Sequence, residues 1–338
     1  MTTYKGIQGY SVQSLASDPT VADTVGQLWY NSASNVWKVS TEGSGAWSTG
    51  GALNQGIDLG GYSGIQTAGM YFGGRSPIPT GGTSVVFVET YNGTAWTNTN
   101  DLPTAVYKNA GFGTTTATIS VGGQNASNTP QNTSFSWNGT CFSSVPGTLD
   151  TGRGGMHGAG TSTAGIVAAG QVPANTDVTE TYNGTTWTET GNVQTAGNGR
   201  SMIGTTTAAL CVTGVSASPP SGLTASETWN GSSWTTTNST NSTHITQGSC
   251  GVTTSAMVFG GASTPGETPT AIVEAYDGTS WSETGDISNT RQFVTAAAQS
   301  ATSATFVAGG TPPGPATKSV LCEEWADPVY AIKTVTTS

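Results

Sequence analysis

The chain has 338 residues, of which 8% are charged and 34% hydrophobic, with 48 glycines, 10 Trp, 10 Tyr and 8 Phe; an ordinary soluble domain is about 25% charged. Nine Lys+Arg against 19 Asp+Glu leave a net charge of −10, and four arginines in the whole chain are too few for a phosphate-neutralising stripe, which argues against nucleic-acid binding. No run of about 18 apolar residues offers a membrane-spanning helix, and the regular recurrence of aromatics argues against disorder.

In chain order, the start Met1-Thr2-Thr3-Tyr4-Lys5-Gly6 shows no basic segment followed by an apolar one, so no secretory signal is expected. Residues 1–44 read as a separate segment built on a hairpin-like run from Gly26 to Val39. An isolated hairpin is marginal in water, so Trp29, Tyr30 and Trp37 are expected to pack on the rest of the chain or to dock on a partner.

From Trp47 onward the chain repeats. Glu89-Thr90-Tyr91-Asn92-Gly93-Thr94-Ala95-Trp96 returns around Tyr182, Trp229 and Tyr276, in degenerate form around Trp137, and without Asn-Gly at Trp325. These aromatics are 46, 45, 47, 47 and 49 residues apart. A second mark keeps the same beat: Gly73-Gly74, Gly122-Gly123, Ala169-Gly170, Thr213-Gly214, Gly260-Gly261 and Gly309-Gly310 each end a short apolar run. Six units follow. Each reads as four short strands: a Gly/Ala-rich run, a strand ending at the paired small residues, an alternating strand ending at Tyr or Trp, and, after a tight Asn-Gly turn, a strand begun by Trp. No unit has a capped 3.6-residue pattern, so helices should be scarce.

A double glycine after an apolar strand, then Glu-x-Tyr-Asn/Asp-Gly and Trp, resembles the kelch repeat over residues 47 to about 330. The resemblance implies an all-β, kelch-like β-propeller, one four-stranded blade per repeat. Six blades are expected over residues 45–330, closed by the Trp47 strand in the last blade. Seven are the alternative if the N-terminal hairpin forms another. Residues 331–338 are left as a tail.

Gly26-Gln27-Leu28-Trp29-Tyr30-Asn31-Ser32, Ala46-Trp47-Ser48-Thr49-Gly50-Gly51 and the repeated Tyr-Asn-Gly-x-x-Trp units together are similar to virion proteins of tailed bacteriophages. That similarity implies a tail, fibre or capsid-surface protein made in the host cytoplasm. Its N-terminal segment would dock on other virion proteins, and copies could associate within the particle. A carbohydrate-binding adhesin or lectin outside any virus is the alternative.

The inventory for chemistry is thin. His157 and His244 lie in different repeats, so no metal site is expected, and neither is a cofactor or an enzymatic activity. Cys141, Cys211, Cys250 and Cys322 lack zinc or redox spacing and are expected as small buried residues. More informative is one position 10 or 11 residues after the fourth-strand aromatic: Ile57, Val106, Arg153, Gly197, His244 and Arg291. They are expected to form a ring on the face that also carries the varied loops between strands two and three. Those loops include Arg75-Ser76-Pro77-Ile78-Pro79 and Thr311-Pro312-Pro313-Gly314-Pro315. A varied face on a rigid scaffold suits recognition, of a host-surface glycan or a neighbouring virion protein.

Overall fold

A computed structural model describes residues 13–19, 26–42, 45–76, 83–216, 221–263, 268–296, 299–314, 318–327 and 330–335. Parts of the varied loops named above, residues 77–79 and 315, lie outside them. Among the described residues there is no helix; the protein is all-β, with seven four-stranded sheets, an arrangement consistent with a β-propeller. The chain divides into two compact units, one of residues 1–46 with 327–338, the other of residues 47–326.

In the larger unit each repeat becomes one antiparallel sheet. Sheet I is Gly61–Ile65, Ala68–Phe72, Val88–Tyr91 and Trp96–Asn98. Sheet II is Ala110–Thr114, Ala117–Val121, Ser134–Trp137 and Phe142–Ser144. Sheet III is Gly158–Thr161, Ala164–Ala168, Thr179–Tyr182 and Trp187–Glu189. Sheet IV is Ser201–Gly204, Ala209–Val212, Ser226–Trp229 and Trp234–Thr237. Sheet V is Gly248–Val252, Ser255–Phe259, Val273–Tyr276 and Trp281–Glu283. Sheet VI is Thr295–Ala296, Ala304–Ala308 and Cys322–Ala326, with Ala46–Thr49 as its fourth strand.

That last strand keeps the register of the others. The residue three beyond each fourth-strand aromatic donates its N–H to the residue three before the third-strand aromatic. Thr99 bonds Val88, Val145 bonds Ser134, Thr190 bonds Thr179, Thr284 bonds Val273, and Gly50 bonds Cys322 at 2.9 Å. The first strand of each sheet lies against that of the next, and the first strand of VI lies against that of I.

Each consecutive pair of sheets shares one small core. Met70, Phe72 and Phe135 fill the space between I and II, Phe112 and Trp187 that between II and III, and Phe306, Tyr91 and Trp96 that between VI and I. Dividing the interior this way lets few long aliphatics suffice, because each core is filled by two to four rings of large apolar area. Glycine makes the room. A Cβ at Gly165 would stand 2.2 Å from the Phe112 ring, and one at Gly69 would stand 2.4 Å from Phe306.

The paired small residues have a conformational cause. Gly73 and Gly74 have φ of 69° and 92°, and Ala169 and Thr213, which stand where other repeats have the first glycine, keep φ of 61° and 56°. The left-handed conformation, rather than lack of side-chain room alone, selects glycine here. The Asn-Gly turn also differs in detail from a two-residue hairpin. Tyr91 pairs with Trp96, so four residues form the loop. Asn92 caps it, its Oδ1 accepting the N–H groups of Thr94 and Ala95, while only Gly93 takes positive φ.

The smaller unit holds one sheet, in the order Ser14–Leu15, Leu28–Asn31, Val36–Glu42 and Tyr330–Thr334. The hairpin is present, but the expected C-terminal tail is corrected: Tyr330–Thr334 pairs antiparallel with Val36–Glu42 from Lys38↔Thr334 to Glu42↔Tyr330. A hairpin alone has unsatisfied edges, and the chain's other end covers one of them.

Candidate functional site

The expected ring of exposed residues is corrected. Ile57, Val106, Gly197 and His244 are buried, and so are Arg153 and Arg291, at 0% and 1% exposure. Their charges are consumed inside each sheet. Arg153 Nη1 donates to Glu180 Oε1 at 2.6 Å, and Arg291 Nη2 to Glu323 Oε1 at 2.6 Å; His244 Nε2 stands 3.2 Å from Glu274 Oε1. In sheet IV the partner of Glu227 is Arg200, three residues beyond Gly197, with Nη1 at 2.8 Å from Oε1. Each glutamate also accepts N–H groups from the connection entering its sheet, as Glu227 does from Gln194 and Thr195. Sheet I has no cation at this place, and Glu89 is satisfied by Asn54 and Gln55. Sheet II replaces the whole device with Val106 against Phe135. These residues clamp each connection to its own sheet and leave no side chain for a partner.

The less buried sixfold position lies two residues further on, where five of the six residues are half-buried and Gly199 is buried. Leu59, Lys108, Gly155, Gly199, Thr246 and Phe293 all take positive φ, between 56° and 69°. Lys108 N–H donates to Leu59 O, Gly155 to Lys108, Gly199 to Gly155, Phe293 to Thr246, and Leu59 to Phe293, at 2.6 to 3.3 Å. Five backbone bonds thus link neighbouring sheets, and one runs from I back to VI. A left-handed conformation costs a non-glycine residue roughly 1–2 kcal/mol, and the inter-sheet bonds hold it in place. The belt lines a cavity of about 30 Å³, room for a water or two and too small for a sugar ring.

This belt lies on the face of the varied loops. The residue before each belt position bridges the third residue beyond the second strand in all six sheets, as Asp58 does with Arg75, Tyr107 with Gln124 and Gln292 with Thr311. In sheet III the bridge is Gly154 with Gln171.

His157, which lines the cavity, belongs to a polar network that crosses between sheets. Tyr62 O–H stands 3.0 Å from His157 Nδ1, Ser201 Oγ 3.4 Å from the same nitrogen, and Gln247 Nε2 donates to Ser201 Oγ at 2.7 Å. Burial without a counter-charge lowers the His157 pKa from 6.5 to about 4. The imidazole is therefore neutral and accepts from the phenol. Because the folded pKa is depressed, the unfolded chain takes up the proton first, and stability is lost as pH falls from about 6.5 to about 4. The loss should reach at most about 3 kcal/mol. His157→Asn, which keeps an acceptor for Tyr62, should flatten this part of a melting-temperature profile; an unchanged slope would show that another group causes it.

One sector of the mouth is charged. Asp58, fully buried, accepts Arg75 Nε and Nη2, each at 3.1 Å, and Thr311 Oγ1 at 2.8 Å, and is also paired with Lys318 Nζ. The Arg75 guanidinium lies 5.5 Å from the Tyr107 ring centre and 5.8 Å from that of Phe293, and Lys108 Nζ lies 5.7 Å from Tyr107. Burial first, and the Arg75 charge second, lower the Lys108 pKa.

Of the three aromatics singled out in the smaller unit, Trp29 is buried, Tyr30 half-buried and Trp37 exposed at 43%. Tyr30 meets Trp37 edge-on at 5.5 Å. Asp18 anchors the sheet, accepting Trp29 Nε1, Asn31 Nδ2 and Lys38 Nζ, and these donors hold its carboxyl below the usual range, Lys38 most strongly. Among the described residues, Trp37, Leu28 and Val335 are the large apolar groups this unit leaves open.

None of the four cysteines is in a disulfide. Burial pushes the Cys211 thiol up to about 11 and Cys322 to about 12, so neither offers a thiolate at neutral pH. Sequence reasoning missed Arg200, whose offset from the aromatic differs from that of the other cations, and the belt, where bulky Leu, Lys and Phe give no hint of positive φ. The chain matches no known protein family and no curated protein.

Proposed function

We propose that this chain is a non-enzymatic structural protein of a bacteriophage particle: a closed six-bladed β-propeller displayed at the surface and attached through the small terminal unit. Its axial face would meet a host-surface glycan or a neighbouring virion protein. The observation that carries the rigid, edge-free scaffold is the belt, whose hydrogen bonds run between successive sheets and from I back to VI. Six rather than seven blades is favoured because the seventh sheet belongs to the other unit and sets Ser14–Leu15 parallel to Leu28–Asn31, unlike the repeats. A non-catalytic role is favoured because three of the four arginines and His244 are locked on buried glutamates. The particle setting rests on the resemblance of the N-terminal and Trp47 motifs to tailed-phage virion proteins.

The test is compositional. The chain should be found in purified particles, and a form lacking residues 1–45 and 327–338 should fold yet be missing from them. A full-length chain absent from particles, but binding glycans in isolation, would replace this reading with a free adhesin.

A further inference from the structure

We propose that the charged sector of the axial mouth is a binding site for an oxyanion, the carboxylate of an acidic sugar or a phosphate group, held between Lys108 and Arg75. The inference sharpens the recognition role proposed for this face by naming the ligand's chemistry.

The distribution of cations is the first ground. The chain has nine Lys+Arg and a net charge of −10. Within residues 47–326, Arg153, Arg200 and Arg291 are locked on buried glutamates, and the other three basic residues, Arg75, Lys108 and Lys318, gather around one carboxylate. Asp58 neutralises one of the three, so the sector carries an excess of two positive charges in an acidic protein. Concave, partly desolvated charge of one sign attracts a counter-ion more strongly than exposed charge does.

The fold does not need these charges. The bridge that Asp58 makes with Arg75 is made in other sheets by Tyr107 with Gln124, Gly154 with Gln171, Asn198 with Val215 and Ile245 with Ala262. The belt position of Lys108 is filled elsewhere by Leu, Gly, Gly, Thr and Phe. Structural duty at both places is met without charged side chains in five sheets of six.

Both cations keep unfilled donors among the described residues. Lys108 has the Tyr107 ring as its neighbour and no carboxylate or hydrogen-bond acceptor for Nζ among the described residues, while its backbone is fixed in the belt. Arg75 spends Nε and Nη2 on Asp58, which fixes the guanidinium plane between two rings and leaves Nη1 for a ligand. Its side chain is 27% exposed. Charge-assisted bonds from pre-oriented donors are the strong ones. Only the anionic group can reach the belt, because the cavity below is about 30 Å³; the body of the ligand would stay outside, over Leu59 and Phe293.

The test is titration calorimetry of the full chain with sodium D-glucuronate, inorganic phosphate and, as the neutral control, D-glucose, at one ionic strength. Saturable binding of at least one anion and none of glucose is expected. Glucuronate alone would mark a sugar acid, phosphate alone a phosphate ester, and both a general oxyanion site. Lys108→Gln should weaken binding at least about tenfold, whereas Lys333→Gln, which removes the same charge from the other unit, should leave it unchanged. Binding of neither anion, or binding unaffected by Lys108→Gln, would overturn the inference. Particle incorporation is a separate measurement, so either proposal can fail without the other.

Discussion

Arg153→Val and Glu180→Phe should each lower the unfolding free energy by about 3–5 kcal/mol, and the double variant should recover most of that loss. Either single change leaves one charge buried with no counter-ion, since both side chains are fully enclosed and Arg153 Nη1 donates to Glu180 alone. The double change copies sheet II, where Val106 and Phe135 occupy the same places inside an apolar core. Recovery should be incomplete by about 1 kcal/mol, because Asp150 N–H also donates to Glu180 and would lose its acceptor. The measurement is a double-mutant cycle from urea midpoints at constant m. Additive losses would show that the pair does not act as a unit. The protein thus carries its own control: one repeat in which charge has already been exchanged for hydrophobic packing.

The repeats were legible because each mark reports a local backbone need. Paired glycines announce two consecutive left-handed residues, and Asn92 announces a side chain that caps its own turn. The place of the clamps was less legible. A charged residue is read as exposed by default, and Arg153 becomes a buried residue only through Glu180, which the sheet register brings to it from 27 residues away. The sixfold beat holds, but the less buried member of five of the six connections lies two residues beyond the ring of Ile57, Val106, Arg153, Gly197, His244 and Arg291. Strand alternation cannot be counted through an irregular connection that turns left-handed at Leu59 or Phe293. The last strand of the smaller unit was invisible for another reason. Tyr330–Thr334 finds its partner Val36–Glu42 across the whole length of the chain, and no local pattern encodes such a pairing.

A permuted chain should separate the Trp47 strand from the unit that precedes it. Residues 50–325 would be followed by Asn-Gly-Thr-Ser, copying the loop Asp277-Gly278-Thr279-Ser280, and then by Trp47-Ser48-Thr49. The loop fits because Gly50 bonds Cys322 as Thr284 bonds Val273, so Trp47 stands to Trp325 as Trp281 stands to Tyr276. Trp47 also packs 5.4 Å from Phe259 and 5.5 Å from Trp325, and its indole N–H donates to Gly285 O. The fragment 50–326, which lacks the strand, loses those contacts and exposes an edge. It should be less stable than the permuted chain by about 3–5 kcal/mol and should associate as its concentration rises. The permuted chain should be monomeric by sedimentation and should unfold in one transition. Equal stability of fragment and permuted chain would mean that the Trp47 strand decorates sheet VI without closing anything. A stable monomeric permutant would place closure in the repeats themselves and leave the terminal unit available for attachment.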